Sequence, residues 1–177
     1  MILERLRRPG QVKAAAQRLY AAVVAQARTP SLYDALGAPD TPDGRFELYT
    51  LHVLLVLQRL QGEGPAAAAV SQALFDRYIS GLDHGLRELA VGDLSVGKTM
   101  RKLGEAFYGR AKALETALAA LPDRSGLEGL LARTVFSAAP AAEAGPLADY
   151  LLAARGALAA QTLEGLLDGS LAWRAPP

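Results

Sequence analysis

The chain has 177 residues and a mass of 18.6 kDa, enough for one domain with a proper core and too little for two. Its 35 Ala and 31 Leu exceed a third of all residues, against 11 Val and Ile together, a balance that points to an all-α protein and excludes a buried parallel sheet. Zero Cys excludes disulfides, thiolate metal sites and Cys nucleophiles, and a net charge of +1 gives no global attraction to nucleic acid or membrane, so no DNA partner is expected.

Taken along the chain, Val12, Ala15, Ala16, Leu19 and Val23 fall at helical spacing and predict a first helix from about Gln11 to Arg28, ended by Thr29-Pro30. A short helix capped by Ser31 follows to Leu36. The Gly, Pro and Asp residues of 37–44 make a loop, and Thr41-Pro42 starts the next helix with Asp43 near its positive end. Residues 45–61 are apolar nearly all round the cylinder, which predicts a central helix contacted on several sides. Its most apolar run, Phe46–Leu60, is interrupted by Glu47, His52, Gln58 and Arg59 and falls short of the ~20 residues of a membrane span.

Gly62-Glu-Gly-Pro65 breaks that helix. A third runs from about Pro65 to Ile79, Gly81 interrupts, and a short helix continues from Leu82 to Val91 and ends at Gly92. From about Ser95, as cap, to Leu121, the positions Val96, Met100, Leu103, Phe107, Arg110, Leu114, Ala117 and Leu121 repeat at three and four residues, all apolar except Arg110. Shorter Ala/Leu helices fill about 125–172, split at Ala139-Pro140 and Gly145-Pro146, and the tail from Trp173 frays. The expected architecture is a single domain over 1–177, a bundle of six to eight helices around a central apolar one.

Charge is uneven. Residues 1–30 carry six Arg or Lys against one Glu, and residues 98–112 carry five against one. Lys98, Arg101 and Lys102 share a helix face, which suits phosphates of RNA or lipid, or acidic partner loops; the plain alternative is a solvated face. Tyr108 is the one aromatic beside this stripe. No signal peptide is legible, so the chain reads as mature and made where it works.

Gly92-Asp-Leu-Ser-Val-Gly97-Lys98-Thr99 fits the phosphate-loop pattern, in which Lys98 would meet the outer phosphates and Thr99 a magnesium ion. Such a loop follows a buried strand, and the residues before it read as a helix end. A nucleotide-binding protein is therefore the weakest alternative, and a helix–turn–helix junction is expected instead. The two His, His52 and His84, lie apart and leave no metal site; His52 reads as a core His bonded to a backbone carbonyl or a carboxylate. No catalytic constellation is present, so the chain is not expected to be an enzyme. Two His and two Met leave few axial haem ligands, and no cofactor is expected.

One set of spaced motifs goes further. Asp43-Gly-Arg-Phe46, Leu51-His52-Val53, Arg59-Leu60, Leu74-Phe75, Leu86-Arg87-Glu88, Val91-Gly92-Asp93, Val96-Gly97-Lys98 and Ala106-Phe107-Tyr108-Gly109-Arg110 stand in order. Together they resemble the ubiquinol–cytochrome c chaperone family, over about residues 28–120, and look like a bacterial member. The resemblance implies an all-helical binding protein that assists assembly of respiratory complex III, with cytochrome b, its nascent chain or another complex III subunit as partner. It also implies that the phosphate-loop-like string is a turn into a long helix without nucleotide chemistry. Mitochondrial relatives work at the ribosome exit, so a ribosome- or RNA-binding helical module is the compatible alternative. The implied location is the cytoplasm, with peripheral contact at the inner membrane. Candidate partner-binding positions on the motifs are Arg45, His52, Arg59, Arg87, Asp93, Lys98, Tyr108 and Arg110. For Arg59, Arg87 and Arg110 the structural alternative is pairing with Asp83, Glu88 or Asp93 to pin helices together.

Overall fold

A computed structural model describes residues 8–88, 93–137 and 140–177. Its regular elements are all helical: α1 (Pro9–Ala27), α2 (Ser31–Asp34), α3 (Pro42–Leu60), α4 (Pro65–Glu88), α5 (Asp93–Ala119), α6 (Ser125–Thr134), α7 (Gly145–Ala159) and α8 (Leu163–Leu167), with a 3₁₀ turn at Ala141–Ala144. No strand occurs among the described residues. The expected all-α bundle is the architecture found.

The central helix is α3. Thr41 caps it by accepting a hydrogen bond from Gly44 N–H at 3.1 Å, and Asp43 lies in its first turn. Gly44 has no room for a side chain, because a Cβ would overlap the carbonyl of Pro39. From Thr50 to Val56 every residue of α3 is buried, as the all-round apolar pattern requires. Helices α1, α4, α5 and α7 pack around it, and one continuous apolar core joins them through Leu19, Leu51, Leu74, Phe107, Leu131 and Leu147.

Four expectations about element ends are not met. Gly81 does not interrupt the third helix, which runs unbroken from Pro65 to Glu88; the expected end at Gly92 lies outside the described residues. Gly81 marks a close approach instead: a Cβ there would overlap the Tyr20 hydroxyl of α1. Ser31 and Ser95 are not caps, since α2 has no side-chain cap bond and α5 already begins at Asp93. The tail from Trp173 does not fray. Trp173 Nε1 donates to the carbonyl of Ala22 at 3.1 Å, and both the N–H and the carbonyl of Ala172 bond to the Gln161 side chain at 2.8 Å. A half-buried indole with its N–H paired outweighs the entropy of the last residues.

Tyr20 is held in place by an edge-on contact with Tyr49 and by Arg77 stacked 5.2 Å over its ring, so it cannot swing away from a larger residue at 81. The substitution Gly81→Ala is therefore expected to destabilise by roughly 1–3 kcal/mol despite the better helix propensity of Ala. Adding Tyr20→Phe is expected to recover part of that loss, as read from denaturant midpoints of the single and double variants.

Candidate functional site

The buried polar residues of α3 each reach a different neighbour. Glu47 meets Arg110 of α5 in a two-pronged pair, Nη2 to Oε1 at 2.7 Å and Nε to Oε2 at 3.1 Å. Glu47 is buried and Arg110 half-buried, and the carboxylate raises the Arg110 pKa further. Thr50 Oγ1 and the Tyr78 hydroxyl of α4 lie 2.8 Å apart. Burial pushes the Tyr78 pKa up to about 12, so the phenol stays protonated.

His52 is 0 % exposed. Its Nδ1 lies 2.7 Å from the carbonyl of Leu48, which can only accept, so Nδ1 carries the hydrogen. Nε2 then accepts from the Tyr150 hydroxyl of α7 at 2.8 Å, and Tyr150 accepts from Gln26 Nε2 of α1 at 2.8 Å. Gln26 also donates to the carbonyl of Arg174, and the Trp173 ring stands edge-on to His52 at 5.1 Å. One polar chain thus ties α1, α3, α7 and the tail. His52 is a core His bonded to a backbone carbonyl, as expected, and burial lowers its pKa to about 4.

The candidate positions separate by these contacts. Arg59 donates to the carbonyls of Leu158 and Gln161 at 3.3 and 3.2 Å and pairs with Glu63 at 2.7 Å, so it locks α3 to the end of α7. Arg45 pairs with Asp40 at 2.5 Å across the cap of α3, and both are exposed. Arg87 pairs with Asp83 at 2.8 Å one turn back on α4. Of the expected pairings, Arg87–Asp83 forms but within one helix; Arg59 and Arg110 pair with Glu63 and Glu47, which the sequence reading had not proposed. The side chain of Asp93 lies outside the described residues. Lys98 is exposed, and Tyr108, 65 % exposed, is the one large apolar side chain left in solvent among the described residues.

Tyr108 stands at the lip of an open groove of about 980 Å³ between α3, α4 and α5. Its floor is apolar, with Leu54, Leu57, Phe75, Phe107, Ala111 and Leu114, while Gln58, Gln61, Gln72, Lys112 and Glu115 stand at its edges. Phe75 is shared with a second hollow of about 630 Å³ further along α4 and α5, lined by Ile79, Val96, Gly97 and Met100 and edged by Asp76, Asp83 and Arg87. Phe75, Phe107 and Tyr108 contact one another at ring distances of 5.0–6.2 Å, which places an aromatic ridge where the two hollows meet. Outward from this groove α5 carries Lys98, Arg101 and Lys102, all exposed and without an ion pair among the described residues; Glu105 is the acid on the same face.

The segment Gly97-Lys98-Thr99 of the phosphate-loop-like string is helical, so from Gly97 onward its backbone bonds belong to the helix and do not curl round a phosphate. Among the described residues no group of three His, Asp or Glu side chains is placed to hold a metal ion, and no helix is long and apolar enough to cross a membrane. Glu47, Tyr150 and Phe75 are not among the candidate positions that the sequence offers. Glu47 was findable: it is the one acid within the apolar run of α3, and Arg110 is the one charge in the apolar seam of α5, so each needed the other.

Two comparisons with known proteins agree. The model of the family described as ubiquinol-cytochrome C chaperone matches residues 34–173. A crystal structure described as the Cbp3 homolog from Brucella abortus is 37% identical, covers 99% of this chain and 97% of that chain, and superposes with a TM-score of 0.85. A search of curated proteins returns no match.

The folded-state pKa of His52 lies below that of an unfolded His, so between about pH 4 and 6.5 the unfolded chain binds the extra proton. Its contribution is complete above pH 6.5 and is lost as pH falls toward 4. A loss of roughly 3 kcal/mol across that window follows from the shift. Denaturant melts at pH 7 and pH 4.5 are expected to show it, and His52→Leu to flatten that dependence while lowering stability at pH 7, since the Tyr150 hydroxyl then loses the acceptor for its proton.

Proposed function

The chain belongs to the ubiquinol–cytochrome c chaperone family, and from that premise we propose that it is a non-catalytic assembly chaperone for respiratory complex III, with cytochrome b or its nascent chain as client. The observation that carries this reading is the open apolar groove of α3, α4 and α5, with Tyr108 exposed at its lip. A membrane subunit exposes apolar helices before insertion and assembly, and a rigid apolar groove that covers them suppresses aggregation. A closed core has no use for a 65 % exposed Tyr beside an apolar hollow.

Lys98 and Tyr108 are the proposed client contacts. Arg45, Arg59, Arg87 and Arg110 act one step back, holding the surfaces in shape through Asp40, Glu63, Asp83 and Glu47, and His52 acts from the core. The unpaired cations of α5 favour a site at the cytoplasmic face of the inner membrane, where client loops and anionic headgroups are both within reach. The same cations suit the phosphates of a ribosome surface, and meeting a nascent client there is compatible with the first reading.

Deleting the gene is expected to lower cytochrome b abundance and complex III activity together, with other respiratory complexes spared. Return of the wild-type chain is expected to restore both, and Tyr108→Ala to restore them incompletely. Normal cytochrome b and complex III in the deletion strain contradict the proposal.

A further inference from the structure

We infer that the larger hollow, between α3, α4 and α5, holds its client as a short extended apolar segment whose main chain is met by the side chains of Gln58, Gln61, Ser71 and Gln72. The inference rests on reading this groove as the client site and adds the conformation in which the client is held there.

The first observation is the chemistry of the rim. Above the apolar floor, the α3 and α4 side carries Gln58, Gln61, Ser71 and Gln72. Among the described residues, the amides of Gln58 and Gln61 and the hydroxyl of Ser71 make no side-chain hydrogen bond, and Gln72 spends one N–H on Asp76 at 2.8 Å and keeps its carbonyl. Each free amide offers both a donor and an acceptor.

The second observation is charge. The two charged residues that line this hollow, Lys112 and Glu115, pair with each other at 3.4 Å. The rim therefore shows no net charge to a phosphate backbone or an anionic headgroup. The second hollow differs, since Asp76, Asp83 and Arg87 edge it. Complementarity at the larger hollow calls for a partner that is neutral, polar along its edge and apolar beneath.

An extended polypeptide has that chemistry. It presents an open N–H and C=O at each residue and turns alternate side chains to one face. A formed helix spends those groups on itself except at its ends, so a row of amides gives it little. Segments that become membrane helices carry the same groups unspent until they wind. Length agrees: the hollow is lined on α4 from Pro65 to Phe75 and on α5 from Phe107 to Glu115, about 12–15 Å at 1.5 Å per residue. That holds about four extended residues, whereas a membrane helix of about 30 Å runs on into the charged rim of the second hollow.

The test titrates the full chain by fluorescence anisotropy with three labelled, capped and uncharged peptides, each long enough to overhang the hollow. The first alternates Leu or Val with Ser or Thr and is free to extend. The second is the same peptide N-methylated at alternate residues, which removes main-chain donors and leaves the side chains. The third has the same composition with its apolar residues at helical spacing, locked as a helix by a hydrocarbon staple. The first is expected to bind about ten-fold more tightly than either of the others, with little change between low and high salt. Gln58→Leu with Gln61→Leu removes two amides that bond nothing in the chain, so it is expected to keep a wild-type melting temperature and to bind the first and second peptides alike. Equal or tighter binding of the helical peptide, equal binding of the N-methylated one by the wild-type chain, or binding of none overturns the inference. So does a preference for the first peptide undiminished in the folded double variant, or about a ten-fold loss of its binding at high salt. The deletion phenotype in cytochrome b does not depend on these outcomes: a client held as a formed helix ends this inference alone, and normal cytochrome b in the deletion strain ends the chaperone reading alone.

Discussion

A helix covered on every side gives its polar side chains no water, so each needs a neighbour or costs on the order of 1–3 kcal/mol unpaired; on the central helix here all the buried polar residues find one, and the Tyr49 hydroxyl is left without a hydrogen bond. In this bundle that constraint falls on α3. Its answers are distributed: Glu47 takes Arg110 from α5, Thr50 takes Tyr78 from α4, and His52 takes Tyr150 from α7. Arg59 adds the last carbonyls of α7 and its following turn. Apolar packing alone would let helices slide over a uniformly greasy cylinder. These ties give each neighbour one register against it, which is the role best attested for buried polar pairs.

The consequences reach the surface through α5. That helix is tied at Arg110 and anchored by Phe107 and Leu114, yet along its flank toward α4 it leaves Phe75, Met100 and Tyr108 beside hollows and not beneath another element. Gly97 keeps that flank low where it lines the second hollow. The interior and the groove are therefore linked: the ion pair that satisfies Glu47 fixes the height and rotation of the helix that forms the basic wall. A client-binding protein needs this combination, a wall stiff enough to hold an apolar opening without collapsing into it.

Much of this was legible in the residues. The Ala/Leu excess over Val and Ile determined the class, the all-round apolar pattern of residues 45–61 identified the central helix, and the three-and-four spacing from Val96 onward placed α5. The failures have one cause. Gly81 reads as a breaker in one dimension and is a contact with Tyr20 in three; Trp173 reads as a loose end and is a plug beside His52. Arg110 and Glu47 lie 63 residues apart, and local spacing shows that each is misplaced on an apolar face without showing that they meet. Tertiary partners decide such positions. The groove was invisible for the same reason, since two helices must be set side by side before Phe75 and Phe107 become one surface.

The account stands on Tyr108 marking the face that meets the client. A photo-crosslinking residue placed at position 108 in living cells, with a second chain carrying it at Lys13 on exposed α1 as control, tests this most directly. The expected result is an adduct from position 108 whose bound polypeptide is identified as cytochrome b, with little from position 13. Cytochrome b joined to position 13 and absent from position 108 would contradict it.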